Sequence, residues 1–172
     1  SLGIVKKENI IYGNALSCRS FFIYVGSKTG NEGINGAAMA SNTFVNDKIT
    51  DELKSNVQKS DPFLEKLLLE ACCEISDKKL VEGMQDMGAG GLLCASLEVV
   101  KRGREKTNSD MGCEIYLEKI PTKYKMDYSN ILISESQERM LLIVEEEKCD
   151  DIFNIFKKWD LEYAVIGETS ST

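Results

Sequence analysis

The chain holds 172 residues, enough for one domain that buries roughly 70% of its unfolded surface without a covalent staple. A formal net charge of −7 argues against nucleic acid or an anionic membrane surface as its main partner, because both require a basic footprint. The sequence contains 0 histidines, and its 6 cysteines never fall in CxxC spacing, which argues against a zinc site and for reduced, mostly buried thiols in a cytoplasmic protein. No apolar run approaches the ~20 residues of a membrane-spanning helix, and no signal peptide is expected. Ser1-Leu2-Gly3 reads as a cloning remnant, so the chain is expected to be a fragment of something longer. Without histidine, proton transfer falls to carboxylates or to a residue outside these residues.

Taken in order, residues 1–17 read as an arm with a weak strand at Asn9-Ile10-Ile11-Tyr12, and residues 18–172 as one domain. Residues 18–25 are β-branched and aromatic and predict a buried strand. A glycine-rich loop follows over residues 26–38. Its Lys28-Thr29 precedes Gly30, the reverse of a Walker A order, which leaves a phosphate-contacting loop of another kind or a mobile hairpin. Residues 41–60 form a polar connector. Asp61-Pro62 is an N-cap followed by a first-turn proline, and Leu64, Leu67, Leu68, Ala71, Cys72 and Ile75 make one apolar helical stripe.

A short strand over 80–84 then leads into Gln85-Asp86-Met87-Gly88-Ala89-Gly90-Gly91 and a helix expected to stop near Gly103, with a charged loop over 104–110. Cys113, Ile115 and Leu117 alternate with polar residues as a strand with one wet face, which Pro121 ends. Residues 128–133 read as a short helix or turn. Met140-Leu141-Leu142-Ile143-Val144 is the best candidate for a central strand. A helix over 150–159 carries acids in its first turn and lysines in its last, and Tyr163-Ala164-Val165-Ile166-Gly167 closes as a strand. The alternation predicts an α/β (α+β) sandwich with helices packed on a mixed β-sheet.

Three polar sets invite a chemical reading. Asp86 ends a strand and is followed by glycines and a helix start, the place where α/β sheets bind ligands. Its carboxylate suits a Mg²⁺ shared with a phosphate; as a bare motif it equally suits a solvated cap of a tight turn. Ser134-Glu135-Ser136-Gln137 is a dense polar string at the start of the buried strand. Glu135 accepts from sugar hydroxyls or holds a metal, and Gln137 both donates and accepts; a turn whose serines bond their own backbone is the plain alternative. Gln58, just before the Asp61-Pro62 helix start, carries no signal by chemistry alone.

Long stretches of the chain form an ordered set: Val57-Gln58 with Asp61-Pro62-Phe63-Leu64-Glu65-Lys66-Leu67-Leu68-Leu69-Glu70-Ala71-Cys72; Gln85-Asp86-Met87-Gly88-Ala89-Gly90-Gly91-Leu92; and Leu132-Ile133-Ser134-Glu135-Ser136-Gln137-Glu138-Arg139-Met140-Leu141-Leu142. Gly26-Ser27-Lys28-Thr29-Gly30 and Ala164-Val165-Ile166-Gly167-Glu168 complete it. Together they resemble the large subunit of phosphoribosylformylglycinamidine synthase, from purine biosynthesis. The resemblance implies an aminoimidazole ribonucleotide synthetase C-terminal-domain-like fold, as the second domain of the first of two such pairs. It implies an enzyme that uses ATP and Mg²⁺ to activate the amide oxygen of formylglycinamide ribonucleotide. Ammonia from a glutaminase subunit or domain then displaces phosphate to give the amidine.

Carried over residue by residue, the resemblance implies substrate contacts at Gln58, Glu135, Ser136 and Gln137 and magnesium at Asp86. No catalytic residue is implied here. The family's catalytic histidine lies in the preceding domain, in keeping with its absence from this chain, so the fragment alone is expected to be inactive. Glu32 and Asn35 depart from the family's Asp and His in the glycine loop, and Lys59-Ser60 from a Val-Gly pair. Gly90 stands where an alanine is frequent, and the 104–110 loop is longer. The rival readings are another enzyme of the same superfamily and a non-catalytic domain that forms a homodimer through exposed apolar surface.

Overall fold

The computed structural model describes residues 4–34 and 58–171. Residues 41–57 of the expected 41–60 connector, the end of the glycine loop and the Ser1-Leu2-Gly3 remnant lie outside the described residues.

Five strands form one sheet in the order β2-β4-β1-β5-β3. They are β1 (Phe21–Gly26), β2 (Gly83–Asp86), β3 (Met111–Ile115), β4 (Arg139–Val144) and β5 (Tyr163–Ser171). The helices are α1 (Pro62–Asp77), α2 (Gly91–Thr107), α3 (Tyr128–Ile133) and α4 (Cys149–Lys158).

The middle strands are buried on both faces, and their period of two splits the core. Phe22, Tyr24, Leu141 and Ile143 point to one side, where Leu92, Ala95 and Val99 of α2 and Ile131 of α3 cover them. Ile23, Val25, Leu142 and Val144 point to the other, against Leu68, Ala71 and Ile75 of α1 and Ile152, Ile155 and Phe156 of α4. Each large apolar side chain withdrawn from water in this way contributes roughly 1.5–3 kcal/mol. The continuous apolar run 140–144 is the signature of a strand covered on both sides, and β4 does lie inside the sheet, between β2 and β1.

The α/β sandwich therefore stands, but every pairing between named strands is antiparallel rather than mixed. Strand–helix alternation suggested parallel crossovers. Instead β4 and β5 flank β1 on either side, each running against it. That choice rests on partners more than a hundred residues apart, which local pattern does not report.

Several boundaries differ from expectation. Asp61 caps α1 as its composition predicts, its Oδ1 accepting from Leu64 N at 3.1 Å, with Pro62 in the first turn. Helix α2 runs past Gly103 to Thr107 and ends on Asn108 at φ 52°, so most of the expected charged loop is its last turn. Gly103 has another role: a Cβ there would lie 1.9 Å from Ala15 O, so the missing side chain lets the N-terminal segment lie against the helix. In that segment Lys7–Asn9 is a 3-10 turn, and no strand forms at residues 9–12. Its backbone is still tied in: Met84 N donates to Tyr12 O at 3.2 Å and Ala15 N to Val99 O at 3.0 Å. Glu82 fastens the rest, accepting from Leu16 N at 2.7 Å and Ser17 N at 3.0 Å. Strand β3 starts at Met111, two residues early, because β5 extends to Ser171 and pairs with it there.

Candidate functional site

Three chain segments converge at one end of β2 and β4. The first is the turn that links β2 to α2. Gly90 and Gly91 both have left-handed backbones, at φ 75° and 57°, which glycine adopts without steric penalty. A Cβ on Gly91 would lie 2.2 Å from Ser134 O, so only glycine lets this turn meet the second segment, residues 134–137. The third segment is the glycine-rich loop after β1.

Glu135 joins them. It is 8% exposed. Its Oε1 accepts from Gly90 N at 3.1 Å, its Oε2 from Gln58 Nε2 at 2.8 Å, and its own N–H donates to Glu32 O at 2.9 Å. A helix N-terminus favours an anion, and at Gly90 that anion is the protein's own Glu135 carboxylate. Gln137 Nε2 donates to Glu135 O at 2.7 Å. Gln58, Glu135 and Gln137 are thus one hydrogen-bonded set, although 77 residues separate the first two.

Ser136 lies deeper and is buried. Its hydroxyl accepts from Gly30 N at 2.9 Å and donates to Glu32, so it locks the glycine loop onto the polar string. Ser134 repeats the arrangement, donating to Gly30 O at 2.6 Å. The described part of the glycine loop is docked rather than hanging as a free hairpin. Thr29 N donates to Pro121 O at 2.8 Å, and Lys123 N donates back to Thr29 O at 2.9 Å. Partial burial raises the Glu32 carboxyl pKa, but hydrogen bonds from Lys123, at 2.6 Å, and from Ser136 outweigh it and hold the group below the ordinary range.

Asp86 ends β2 with its side chain exposed, where Oδ1 accepts from Gln85 Nε2 at 2.9 Å. Asp86 and Gln137 line the same open cleft, of about 370 Å³. Leu68, Leu69 and Cys72 of α1 and Met140 of β4 form its apolar wall. Among the described residues, no three acidic, cysteine or histidine side chains gather as a metal cage. An exposed carboxylate suits Mg²⁺, which proteins commonly hold through one or two carboxylates together with phosphate oxygens, and Glu65 and Glu138 line the same cleft as Asp86. Asp86 would hold the ion in that way, and the ion would neutralise phosphate charge.

Arg139 is the residue that sequence reading missed. It is 3% exposed, and its Nε donates to Ser136 O and Nη2 to Ser134 O, both at 2.6 Å. Nη1 reaches Thr29 Oγ1 at 3.0 Å and Nη2 reaches Met87 O at 3.5 Å. The available signal was a cation opening an otherwise apolar buried strand. Burial holds its pKa below the ordinary arginine range, against the opposing pull of Tyr24, Glu32 and Glu135.

Residues 22–172 match the family model described as AIR synthase related protein, C-terminal domain. The chain is 47% identical over 173 residues to phosphoribosylformylglycinamidine synthase subunit PurL of Pelagibacter ubique, covering 100% of this chain and 23% of that protein. It superposes on Thermotoga maritima PurL complexed with FGAR with a TM-score of 0.84 at 36% identity, over 97% of this chain and 26% of the other. Against T. maritima PurL complexed with ATP the TM-score is 0.78 at 31% identity, over 98% of this chain and 24% of the other. The chain thus spans about a quarter of the length of the relatives it resembles.

Proposed function

We propose, for a chain that belongs to the AIR synthase related protein C-terminal domain family, that it is one domain of a phosphoribosylformylglycinamidine synthase large subunit. In this reading it supplies one wall of the site where formylglycinamide ribonucleotide is converted to its amidine in purine biosynthesis. The observation that carries it is the gathering of Gln58, Glu135 and Gln137 into one hydrogen-bonded set, with Asp86 lining the same cleft as Gln137. Amide and carboxylate groups recognise hydroxyls and amides of a nucleotide, and a hard oxygen ligand suits Mg²⁺ bound to phosphate. The relative complexed with FGAR at 36% identity supports this substrate, and those complexed with ATP and ADP support an ATP-dependent ligase.

The rest of the reaction lies with the rest of the synthase: an acid–base residue from a preceding domain, most of the ATP site, and ammonia from a glutaminase subunit or domain. The cytoplasm is the compartment this pathway implies. Leu93 and Leu97 of α2 and Phe63 of α1 are exposed apolar side chains outside the cleft, which we assign to contacts within the longer chain. A homodimer of the isolated domain through the same residues is the competing reading.

In the full-length subunit, Gln58→Ala is expected to raise the KM for formylglycinamide ribonucleotide about tenfold, as loss of a hydrogen bond to a bound ligand does. Asp86→Asn is expected to raise the Mg²⁺ concentration for half-maximal activity by roughly tenfold. Steady-state kinetics with both variants unchanged would rule the reading out.

A further inference from the structure

We propose that Arg139 is a positioning residue: its buried guanidinium clamps the three loops around the cleft in the one arrangement that aims Asp86 and Gln137 at the ligand. The proposal rests on the reading of the cleft given above.

The argument is geometric. Arg139 holds Met87 O, the carbonyl next after Asp86, and Ser136 O, the carbonyl just before Gln137. Each of these two carbonyls is one residue from a side chain that lines the cleft, Asp86 and Gln137. Its planar fork takes Ser134 O and Ser136 O together at 2.6 Å, which turns those carbonyls inward around Glu135. Glu135 then meets Gly90 N and Gln58 Nε2. The remaining nitrogen reaches Thr29 Oγ1 and carries the clamp into the glycine loop.

All four acceptors are neutral: three carbonyls and a hydroxyl. A residue serving packing alone would be apolar, like Leu141, Leu142, Ile143 and Val144 after it, since a buried cation without a carboxylate in its hydrogen-bond set costs stability. What the guanidinium adds is direction: donors fixed in one plane toward three separate loops.

The test is steady-state kinetics of the full-length synthase subunit carrying this chain, with R139K, R139A and T29V, and with Q137A as the benchmark. Lysine keeps the charge and loses the fork. R139K is expected to raise KM for formylglycinamide ribonucleotide about tenfold while kcat falls by less than about threefold. A purely structural role would lower Vmax through loss of folded enzyme and leave KM where it was. R139A is expected to regain the wild-type KM when guanidinium ion is added, and not with ammonium ion. T29V removes the hydroxyl that Arg139 and Tyr24 share, with little change of shape, and, should R139A fail to fold, is expected to raise KM about threefold. The proposal is overturned if R139K and T29V stay within about twofold of the wild-type KM while Q137A raises it. If Q137A also leaves KM unchanged, the reading of the cleft fails and the proposal falls with it.

Discussion

Cys72 lies against the apolar wall of the cleft, and burial followed by the neighbouring Cys73 pushes its thiol up to about 12. Cys18, Cys73 and Cys94 are exposed. The thiolate is the reacting species, so reactivity follows both access and acidity. At pH 8, iodoacetamide is expected to modify the exposed cysteines at least ~100-fold faster than Cys72. Peptide mass spectrometry over a time course reads this directly, and labelling of Cys72 in step with Cys73 would contradict it. The neighbours in sequence differ because one faces the sheet side of α1 and the other faces water. At this scale the string 134–137 also divides. Gln137 faces the cleft, Ser136 is consumed in holding Gly30 and Glu32, and Glu135 organises donors from two other segments.

Between elements, close approach decides what composition does not. Gly103 inside α2 looks like a C-cap, and in an exposed helix its replacement by alanine would stabilise by roughly 1 kcal/mol. Here the added Cβ would meet Ala15 O at 1.9 Å, a backbone atom that has little room to move. Gly103→Ala is therefore expected to destabilise the domain, by about 1–3 kcal/mol, measured by urea unfolding. Equal or greater stability would show that the N-terminal segment yields without cost. Glu74 joins helices in the same way on the opposite face. It binds Lys158 of α4 at 2.7 Å, Lys78 at 2.9 Å and the Trp159 indole at 3.1 Å, in that order holding its carboxyl down to about 2.

For the molecule as a whole, the cleft is open on one side, and the chain contains 0 histidines. We therefore expect the isolated, purified chain to give no amidine from formylglycinamide ribonucleotide, ATP and ammonia. The expected rate is at least ~10²-fold below that of the full subunit, the lower end of what a lost general acid–base group costs. Product detection by mass spectrometry checks this, and measurable turnover by the fragment would place the whole active site within these residues.

The helices, the Asp61 cap of α1, the buried central strand and the polar segments were legible in the chain. Each depends on residues within a turn or two of one another: Asp61 with Leu64, the period of two in 140–144, the glycines beside Asp86. The strand order, the antiparallel pairing, the docking of residues 12–17 and the clamp by Arg139 were not. Those depend on groups brought together across 50 to more than 100 positions, such as Arg139 with Thr29, 110 residues away. Side chains of one helix or strand are placed by backbone periodicity. Side chains of separate elements are placed only by how those elements pack, and packing is a property of the folded molecule.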